Sequence, residues 1–427
     1  MGSLVRKTAE WMCSAVFFSG GMTEVHRLVH CLECEVFFAG SPVACAVSVG
    51  YNLLSVRDFI RNWLPTADDY PASRLFSLDV LRGLDMLLLT AVVPLVCAIQ
   101  EGFHCFSPAM MRQFSHPWGG FTVYDLIMPL FIFMCGAAIP FALGRRLREG
   151  KGVFWRHVLA RVVLLWVLGG CIAGHWLELD SHTFRPIGNT LHAIAIGYAA
   201  TAAMMTVPQR WFQIALPIAL AVLYAALMGG DYSQTGNLAY RVEQACRAAV
   251  LPADNVSVTN PSHYTWVLTS LMFASMTMCG YHAARILLSA HAPWRKALTL
   301  AAFGAALLAV GWAAVPWVPM IKQVFSLSFT AQAMGWSVLL LAALYVLCDI
   351  WKIRRGSALV LLFGQCALAS YVVWHLFYDV LHLLARTLGS GLIRLCGPNF
   401  GPTIVTFLSI VEMIAVMAVW RKIKSGK

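Results

Sequence analysis

The segment from Phe114 to Gly136 most constrains the fold of this chain. It contains His116, Trp118 and a glycine pair, followed by a long apolar run that opens with a single carboxylate, Asp125. The apolar run is long enough to enter a bilayer, so His116 is predicted just outside a membrane and Asp125 just inside its edge. Titratable groups are costly to keep at such a boundary and usually have a function there.

The rest of the chain repeats this apolar character. Of its 427 residues, 59% are hydrophobic and 12% are charged, whereas about one-quarter of the residues in soluble domains are charged. Apolar segments of roughly 18–22 residues recur between short polar links, which predicts an all-α, polytopic membrane bundle of about ten transmembrane helices within 73–427. The predicted spans are 76–100, 124–144, 158–177, 189–207, 212–229, 264–285, 298–316, 330–350, 358–378 and 402–420.

Basic residues gather in alternate links between these spans. This bias marks the cytoplasmic side of a membrane protein, so both ends of the bundle are predicted to be cytoplasmic and the His116 loop to face outward. The net charge of +11 is therefore attributed to orientation in a lipid bilayer, and no nucleic-acid partner is expected. The predicted location is a bacterial inner (plasma) membrane. The basic links contain Arg145, Arg146, Arg148, Lys151, Arg156, Arg210, Arg285, Arg295, Lys296, Lys352, Arg354 and Arg355.

Residues 1–72 differ from the remainder. Their hydrophobicity is patchy and has no clear period, which favours a disordered or loosely attached leader, or a start codon placed too far upstream. A zinc-like spacing leaves a metal site as the weaker alternative, at His26, His30, Cys31 and Cys34. No metal is expected in 73–427, where most cysteines lie within apolar runs and are predicted to form few or no disulfides.

His116 and Asp125 are the predicted catalytic pair. A neutral imidazole is the natural proton acceptor for an amine or hydroxyl nucleophile. Asp125 could orient that imidazole by accepting its other N–H, or it could be a carboxylate favoured by the helix dipole, and both interpretations stay open. Trp118 offers an apolar platform with one donor, and we assign it to substrate binding.

Further polar groups are predicted near the same outer face. We assign them to substrate binding, although histidines in apolar helices are commonly satisfied core groups and a lysine can extend to lipid headgroups. The set comprises Asn189, His192, Lys322, Ser326 and His375, with His175, Trp176 and Glu178 as weaker members.

On the inner side, Asp79 and Arg82 are three residues apart and share a helix face. They could neutralise each other, or Arg82 could grip a phosphate bidentately. Together with Arg145 and Arg146, they are the predicted binding set for an anionic cofactor that arrives from the cytoplasm.

Five blocks of this sequence, taken in order, carry a resemblance to a known family. They are RLFSLDVLRG at 74–83, HPWGGFTVYD at 116–125, GNTLHAIAIGY at 188–198, GDY at 230–232 and IKQVFSLSF at 321–329. The chain resembles the heparan-α-glucosaminide N-acetyltransferase family and its bacterial relatives. The resemblance implies a multi-span enzyme that takes an acetyl group from cytoplasmic acetyl-CoA and transfers it to a sugar amine on the far side. It also implies that His116 is the catalytic histidine.

Cys105, Gly119 and Cys366 depart from the family pattern, which has asparagine near these positions. These departures leave the acceptor open, and with it the choice between N-acetylation and O-acetylation of an envelope polysaccharide. His116 could act as a general base or carry the acetyl group itself. A sugar or small-molecule transporter, an inactive membrane scaffold and a homodimeric assembly also remain open.

Overall fold

The computed structural model describes residues 64–65, 70, 74–174, 187–250 and 264–425, and all regular structure in these ranges is helical. The described residues belong to the unit Leu64–Lys427. The leader's zinc-like residues and His175, Trp176 and Glu178 lie outside the described residues. The helices are α1 Phe76–Phe103, α2 Pro108–Arg112, α3 Tyr124–Glu149, α4 Lys151–Ala173, α5 Thr190–Met205, α6 Arg210–Met228, α7 Leu238–Val250, α8 Ser270–Leu287, α9 Pro293–Ala314, α10 Leu327–Ile350, α11 Ala358–Gln365, α12 Ala367–Leu376, α13 Tyr378–Cys396 and α14 Gly401–Ser425.

Seven helices in the described part of the chain are long and apolar enough to cross a membrane, namely α1, α3, α4, α6, α9, α10 and the helical segment that contains α14. Each coincides with a predicted span. Two further predicted spans correspond to α5 and α8, which are helical but shorter or less apolar. A membrane-like helical bundle therefore agrees with the sequence pattern, while the count of ten spans is not confirmed.

The predicted ninth span is a broken helix. Helices α11 and α12 meet at Cys366 and are bent by 79° relative to each other. The amide of Cys366 still bonds to Leu362 O at 3.1 Å, and the amide of Ser370 bonds to Cys366 O at 2.8 Å. The two short helices are therefore linked through a single bent residue.

Helix α13 lies between the ninth and tenth predicted spans, 358–378 and 402–420. Its buried residues Leu381, Ala385 and Gly389 recur every four positions, which is the pattern of an amphipathic helix. It packs against α14, where a Cβ on Gly389 would lie 2.9 Å from the side chain of Leu408. Its other positions mix exposed leucines with polar residues, and Asp379, Arg386 and Arg394 lower its mean hydropathy, so the hydropathy pattern does not predict a span here.

Close contacts at glycines fix the packing of α3 on α8. A Cβ added at Gly136 would lie 1.9 Å from the carbonyl oxygen of Thr277, and one at Gly280 would lie 2.0 Å from that of Phe133. No side chain fits at either position, so the two backbones touch directly. This contact sets the position of α3, whose first turn carries Asp125.

We predict opposite effects for two alanine substitutions on α3. Gly136→Ala should destabilise the protein by about 1–3 kcal/mol, since the new methyl group would overlap the α8 backbone. Gly144→Ala is the matched control, because no atom lies within 4 Å of its added Cβ and alanine favours a helix by about 0.5–1 kcal/mol. Thermal unfolding of the purified variants measures both changes. A Gly136→Ala protein as stable as the wild type would contradict this account of the α3–α8 contact.

Candidate functional site

Three ionisable side chains from separate parts of the chain meet at the start of α3. His116 Nδ1 lies 2.7 Å from Asp125 Oδ1. Lys322 Nζ lies 3.2 Å from the same carboxylate oxygen and 2.9 Å from His116 Nδ1. We call this cluster the His–Asp–Lys site. Lys322 is 206 residues from His116, so only the tertiary fold brings these groups together.

The short contact with Asp125 defines the roles of the imidazole nitrogens. A carboxylate can only accept, so Nδ1–H of His116 donates to Asp125 and the lone pair lies on Nε2. Lys322 Nζ lies 3.2 Å from Nε2, so the ammonium can donate to this lone pair. The ring stacks on Tyr124, with centroids 4.3 Å apart and planes 13° from parallel. The carboxylate and the phenol together hold the imidazole in one orientation, and Nε2 can accept a proton.

Thr122 completes the hydrogen bonding of Asp125. Its backbone N–H donates to Asp125 Oδ2 at 3.2 Å, and its hydroxyl accepts from the Asp125 N–H at 3.2 Å. This reciprocal pair resembles a helix-capping box. The carboxylate therefore has partners on both oxygens although its side chain is fully buried. The T-x-x-D spacing is a sequence signal that could have identified this role of Thr122.

Lys322 is almost completely buried, with 5% of its surface exposed. Burial lowers the pKa of Lys322 from its ordinary 10.5 to about 8, and the negative charge of Asp125 opposes that shift. The ammonium also faces the rings of Tyr124 and Tyr264, at 5.7 and 5.6 Å from their centroids. Near neutral pH the site thus contains a buried ammonium stabilised by one carboxylate and two aromatic rings.

The turn that carries Lys322 is anchored through its backbone carbonyl groups. Trp266 Nε1 donates to Gln323 O at 2.7 Å, and the hydroxyl of Tyr224 donates to Val324 O. Phe325 has a φ of 46°, an unfavourable value for a bulky residue, and its amide closes the turn onto Lys322 O at 2.8 Å. These bonds fix the position of Lys322 independently of His116.

Two further contacts join this turn to the His116 loop. Gly120 N–H donates to Met320 O at 2.9 Å, and Gln323 Nε2 donates to Pro117 O at 3.3 Å. Trp118 lies half-buried between these contacts. The His116 side chain itself remains 37% exposed, and nothing lies within 4 Å of a Cβ added at Gly119. Hydrogen bonds therefore hold the backbone around the site, whereas the His116 side chain and the space at Gly119 remain accessible.

Asn189 and His192 do not join the site, because both are engaged by backbone groups. Asn189 caps α5 by accepting from Leu191 N–H at 3.0 Å, and it donates to Gly169 O at 2.6 Å. His192 Nδ1 accepts from Gly188 N–H at 2.9 Å, and Nε2 lies 2.9 Å from Trp166 O. Both ring nitrogens of His192 thus have hydrogen-bond partners, which supports the interpretation of His192 as a core residue rather than a substrate ligand.

Ser326 and His375 also have local partners. Ser326 Oγ accepts from Ile321 N–H at 3.0 Å and from Phe329 N–H at 3.4 Å, so it closes the Lys322 turn and caps α10. His375 Nδ1 lies 2.9 Å from Tyr371 O, and its ring stacks on that of Tyr371. Of the five polar groups assigned to substrate binding from sequence, Lys322 alone contacts His116.

Asp79 and Arg82 form the self-neutralising pair that was one of the two predicted alternatives. Arg82 lies 2.9 Å from Asp79 Oδ1 and 3.4 Å from Met134 O. The other carboxylate oxygen accepts from Arg74 at 2.8 Å and from the Tyr70 hydroxyl at 2.6 Å. Burial, reinforced by Asp79, raises the pKa of Tyr70, which therefore remains a donor. This geometry favours a structural role for Arg82 over a phosphate grip.

The arginines at the end of α3 are more accessible. Arg145 pairs with Glu149 at 2.8 Å but keeps 83% of its side chain exposed, and Arg146 donates to Ala142 O. Sequence analysis missed Arg161, which is exposed on α4 and lies 5.2 Å from the centroid of the Tyr198 ring. Arg146 lies 21 residues after Asp125, so about 31 Å of helix separates these two residues along α3. Arg161 lies nearer to the His–Asp–Lys site, because its side chain interacts with Cys135 in the middle of α3.

An apolar groove of about 660 Å³ lies beside the site, between α1, α3 and α10. Thr122 forms part of its wall, next to Gln113 and Phe121. The remaining wall is almost wholly aliphatic or aromatic, apart from Asp85. Its lining on the helices includes Leu81, Leu84, Leu88, Leu126, Ile127, Leu130, Trp336, Leu340, Leu344 and Leu347.

A family model described as a domain of unknown function, DUF5009, matches residues 74–176. The match includes His116, Asp125 and the Asp79–Arg82 pair, and it ends before Lys322. The comparison with curated proteins finds no match.

We predict that Lys322 titrates near pH 8 and that Asp125→Asn moves its midpoint below that value, since the lost carboxylate charge had raised the pKa. Amine-reactive labelling across a pH series, read by mass spectrometry at Lys322, measures both midpoints, and the exposed Lys352 serves as the internal reference. A wild-type midpoint near 10.5 would contradict the buried position of Lys322, and an upward shift in Asp125→Asn would contradict its pairing with Asp125.

Proposed function

We propose that this protein is a transmembrane acetyltransferase that moves an acetyl group from cytoplasmic acetyl-CoA to an amino sugar on the opposite side. The observation that carries the proposal is the 2.7 Å contact between His116 Nδ1 and the buried Asp125, which directs the Nε2 lone pair away from the carboxylate. A base oriented in this way beside an ammonium is suited to acyl transfer. The sequence resemblance to the heparan-α-glucosaminide N-acetyltransferase family supports the same reaction.

In the direct route, the sugar amine attacks the thioester carbonyl carbon while Nε2 of His116 takes a proton from the amine. Lys322 donates to the oxygen that becomes negative in the tetrahedral intermediate. The C–S bond then breaks, and the coenzyme A thiolate takes the proton from His116. In the alternative route, Nε2 attacks the thioester carbonyl carbon, the C–S bond breaks and the coenzyme A thiolate leaves an acetyl-imidazole. The amine then attacks the acetyl carbon, the bond from that carbon to Nε2 breaks, and the proton of the amine passes to the thiolate. Asp125 and Tyr124 hold the ring in both routes.

The guanidinium groups at the far end of α3 suit the phosphates of coenzyme A. Arg145 and Arg146 supply this charge in the proposal, and Arg161 on α4 adds a further guanidinium beside Cys135 in the middle of α3. Arg82 is already paired with Asp79. A donor bound there must extend through the bundle, because about 31 Å of helix separates Arg146 from Asp125. The extended arm of acetyl-CoA, with its thioester at the end, has the shape for such a path.

The topology proposed for this reaction has ten crossings with both ends of the bundle in the cytoplasm, in a bacterial inner membrane. The seven long helices supply seven crossings. The bent α11–α12 pair and helices α5 and α8, which are buried among the others, supply three more. The basic links assign the Arg145 end to the cytoplasm.

A transporter is the second candidate function, and the 79° break between α11 and α12 favours it. Broken helices at membrane depth form the substrate sites of many transporters. In this interpretation the His–Asp–Lys site would couple proton movement to transport of a sugar.

We predict that purified wild-type protein acetylates glucosamine with acetyl-CoA and that His116→Ala lowers the rate by about 10²–10⁴-fold, since it removes the general base. Asp125→Asn should lower it by about 10²-fold or more, because a neutral amide no longer selects the Nδ1–H tautomer or stabilises the imidazolium. His291→Ala is the matched control, because His291 is exposed on another loop. Product formation measured by mass spectrometry gives the rates.

Unchanged activity in His116→Ala would reject the assignment. Acetyl-histidine at position 116, trapped with acetyl-CoA alone, would favour the second route. Counterflow of labelled sugar into vesicles by a protein with no acetyl transfer would instead select the transporter.

A further inference from the structure

The groove between α1, α3 and α10 is long, open at the side of the bundle and large enough to hold a small molecule. Its wall on α10 runs from Trp336 to Leu347, which corresponds to about 16 Å along the helix. Several lining residues are open to the surroundings of the bundle, including Leu84 at 43% and Leu340 at 38% exposure. A bilayer around the bundle would therefore reach the groove from the side. Its volume is in the range of small-molecule sites.

Asp85 is the feature that apolar packing does not explain. It is 1% exposed, it lies in the α1 wall of the groove, and neither carboxyl oxygen has a hydrogen-bond partner among the described residues. A buried polar group left unpaired costs about 1–3 kcal/mol. Polar groups kept at membrane depth usually have a function, so this carboxyl points to an occupant of the groove that supplies a partner.

The groove and the His–Asp–Lys site share a wall. Thr122 lines the groove, and the same residue donates through its N–H to Asp125 Oδ2 and accepts from the Asp125 N–H. Phe121, the preceding residue, also lines the groove. The apolar groove therefore lies against the residue that hydrogen-bonds to Asp125.

We propose that the acceptor acetylated at His116 is an amphiphile, an amino sugar carried on a single aliphatic chain, and that the chain lies in the groove while the sugar lies at His116. This inference rests on the proposed acetyltransferase function and specifies its substrate class. The aliphatic wall from Leu84 to Leu340 binds the chain. A polar link or hydroxyl group on the chain pairs with Asp85. Entry from the bilayer needs no aqueous path for the chain.

The test compares two acceptors that differ only in chain length, methyl β-glucosaminide and dodecyl β-glucosaminide, with the full protein in proteoliposomes. The measured quantity is the ratio of kcat/KM for the dodecyl and the methyl compound. Leu340→Trp fills the groove. Leu298→Trp makes the same substitution at an exposed position on α9, away from the groove, and controls for simple partitioning of the chain into lipid.

We expect the ratio to fall about tenfold or more in Leu340→Trp relative to Leu298→Trp, which corresponds to losing the burial of roughly two methylene groups. Equal ratios in the two variants would overturn the groove as the chain site. A raised KM for acetyl-CoA with an unchanged ratio would also overturn it, since the groove would then bind the donor.

A binding experiment keeps the inference testable if no acetyl transfer occurs, an outcome that would reject the proposed function. A dodecyl glucosaminide with a photoreactive diazirine on its chain should label α1 and α10 at the groove, and unlabelled dodecyl glucosaminide should suppress the labelling. Labelling elsewhere, or labelling that does not compete, would overturn the chain site. Asp85→Leu should be at least as stable as the wild type in thermal unfolding. A large loss of stability would show that Asp85 has a structural role and remove its support for a ligand.

Discussion

The site depends on a buried ammonium beside a buried carboxylate. Removing two charges from water costs several kcal/mol per ion, and attraction offsets this cost only where the geometry is good and the other polar atoms are satisfied. Both conditions hold here, because Thr122 and His116 occupy the remaining positions on Asp125. Loss of one partner would leave the other charge buried and unpaired. Since both residues contact His116, replacing either of them would also disturb the position of its ring.

Because the ammonium must stay beside Asp125, several surrounding residues hold the backbone of the turn that carries Lys322. The carbonyl groups of Gln323 and Val324 are held by Trp266 and Tyr224, two residues that belong to different segments of the bundle. Phe325 keeps an unfavourable backbone conformation because it is fully buried and its ring packs against that of Phe273 at 4.9 Å. The backbone of the turn is therefore preorganised, and Lys322 reaches Asp125 without a further loss of backbone entropy.

Local sequence predicts the proximity of two of the three residues of the His–Asp–Lys site and does not predict the contact with the third. His116 and Asp125 are nine residues apart at the start of a long apolar helix, so their proximity follows from short-range geometry. Lys322 joins them from 206 residues away, a contact that no local period encodes. Asn189 and His192 were also assigned to substrate binding from sequence, yet backbone groups satisfy both. Most long helices were predictable from hydropathy, whereas amphipathic α13 and the bend at Cys366 depend on packing.

The separation of charges along α3 limits which chemistry the bundle can perform. Asp125 is paired at one end, and Arg145 and Arg146 are accessible at the other, about 31 Å away. Arg82 lies between them near Met134, but Asp79 neutralises it. In the proposed reaction, a donor bound at the arginine end therefore has to reach His116 through a long arm, and Arg82 offers it no free charge. Such an arrangement disfavours a reaction confined to one end, and it fits a donor whose charge and reactive group are far apart.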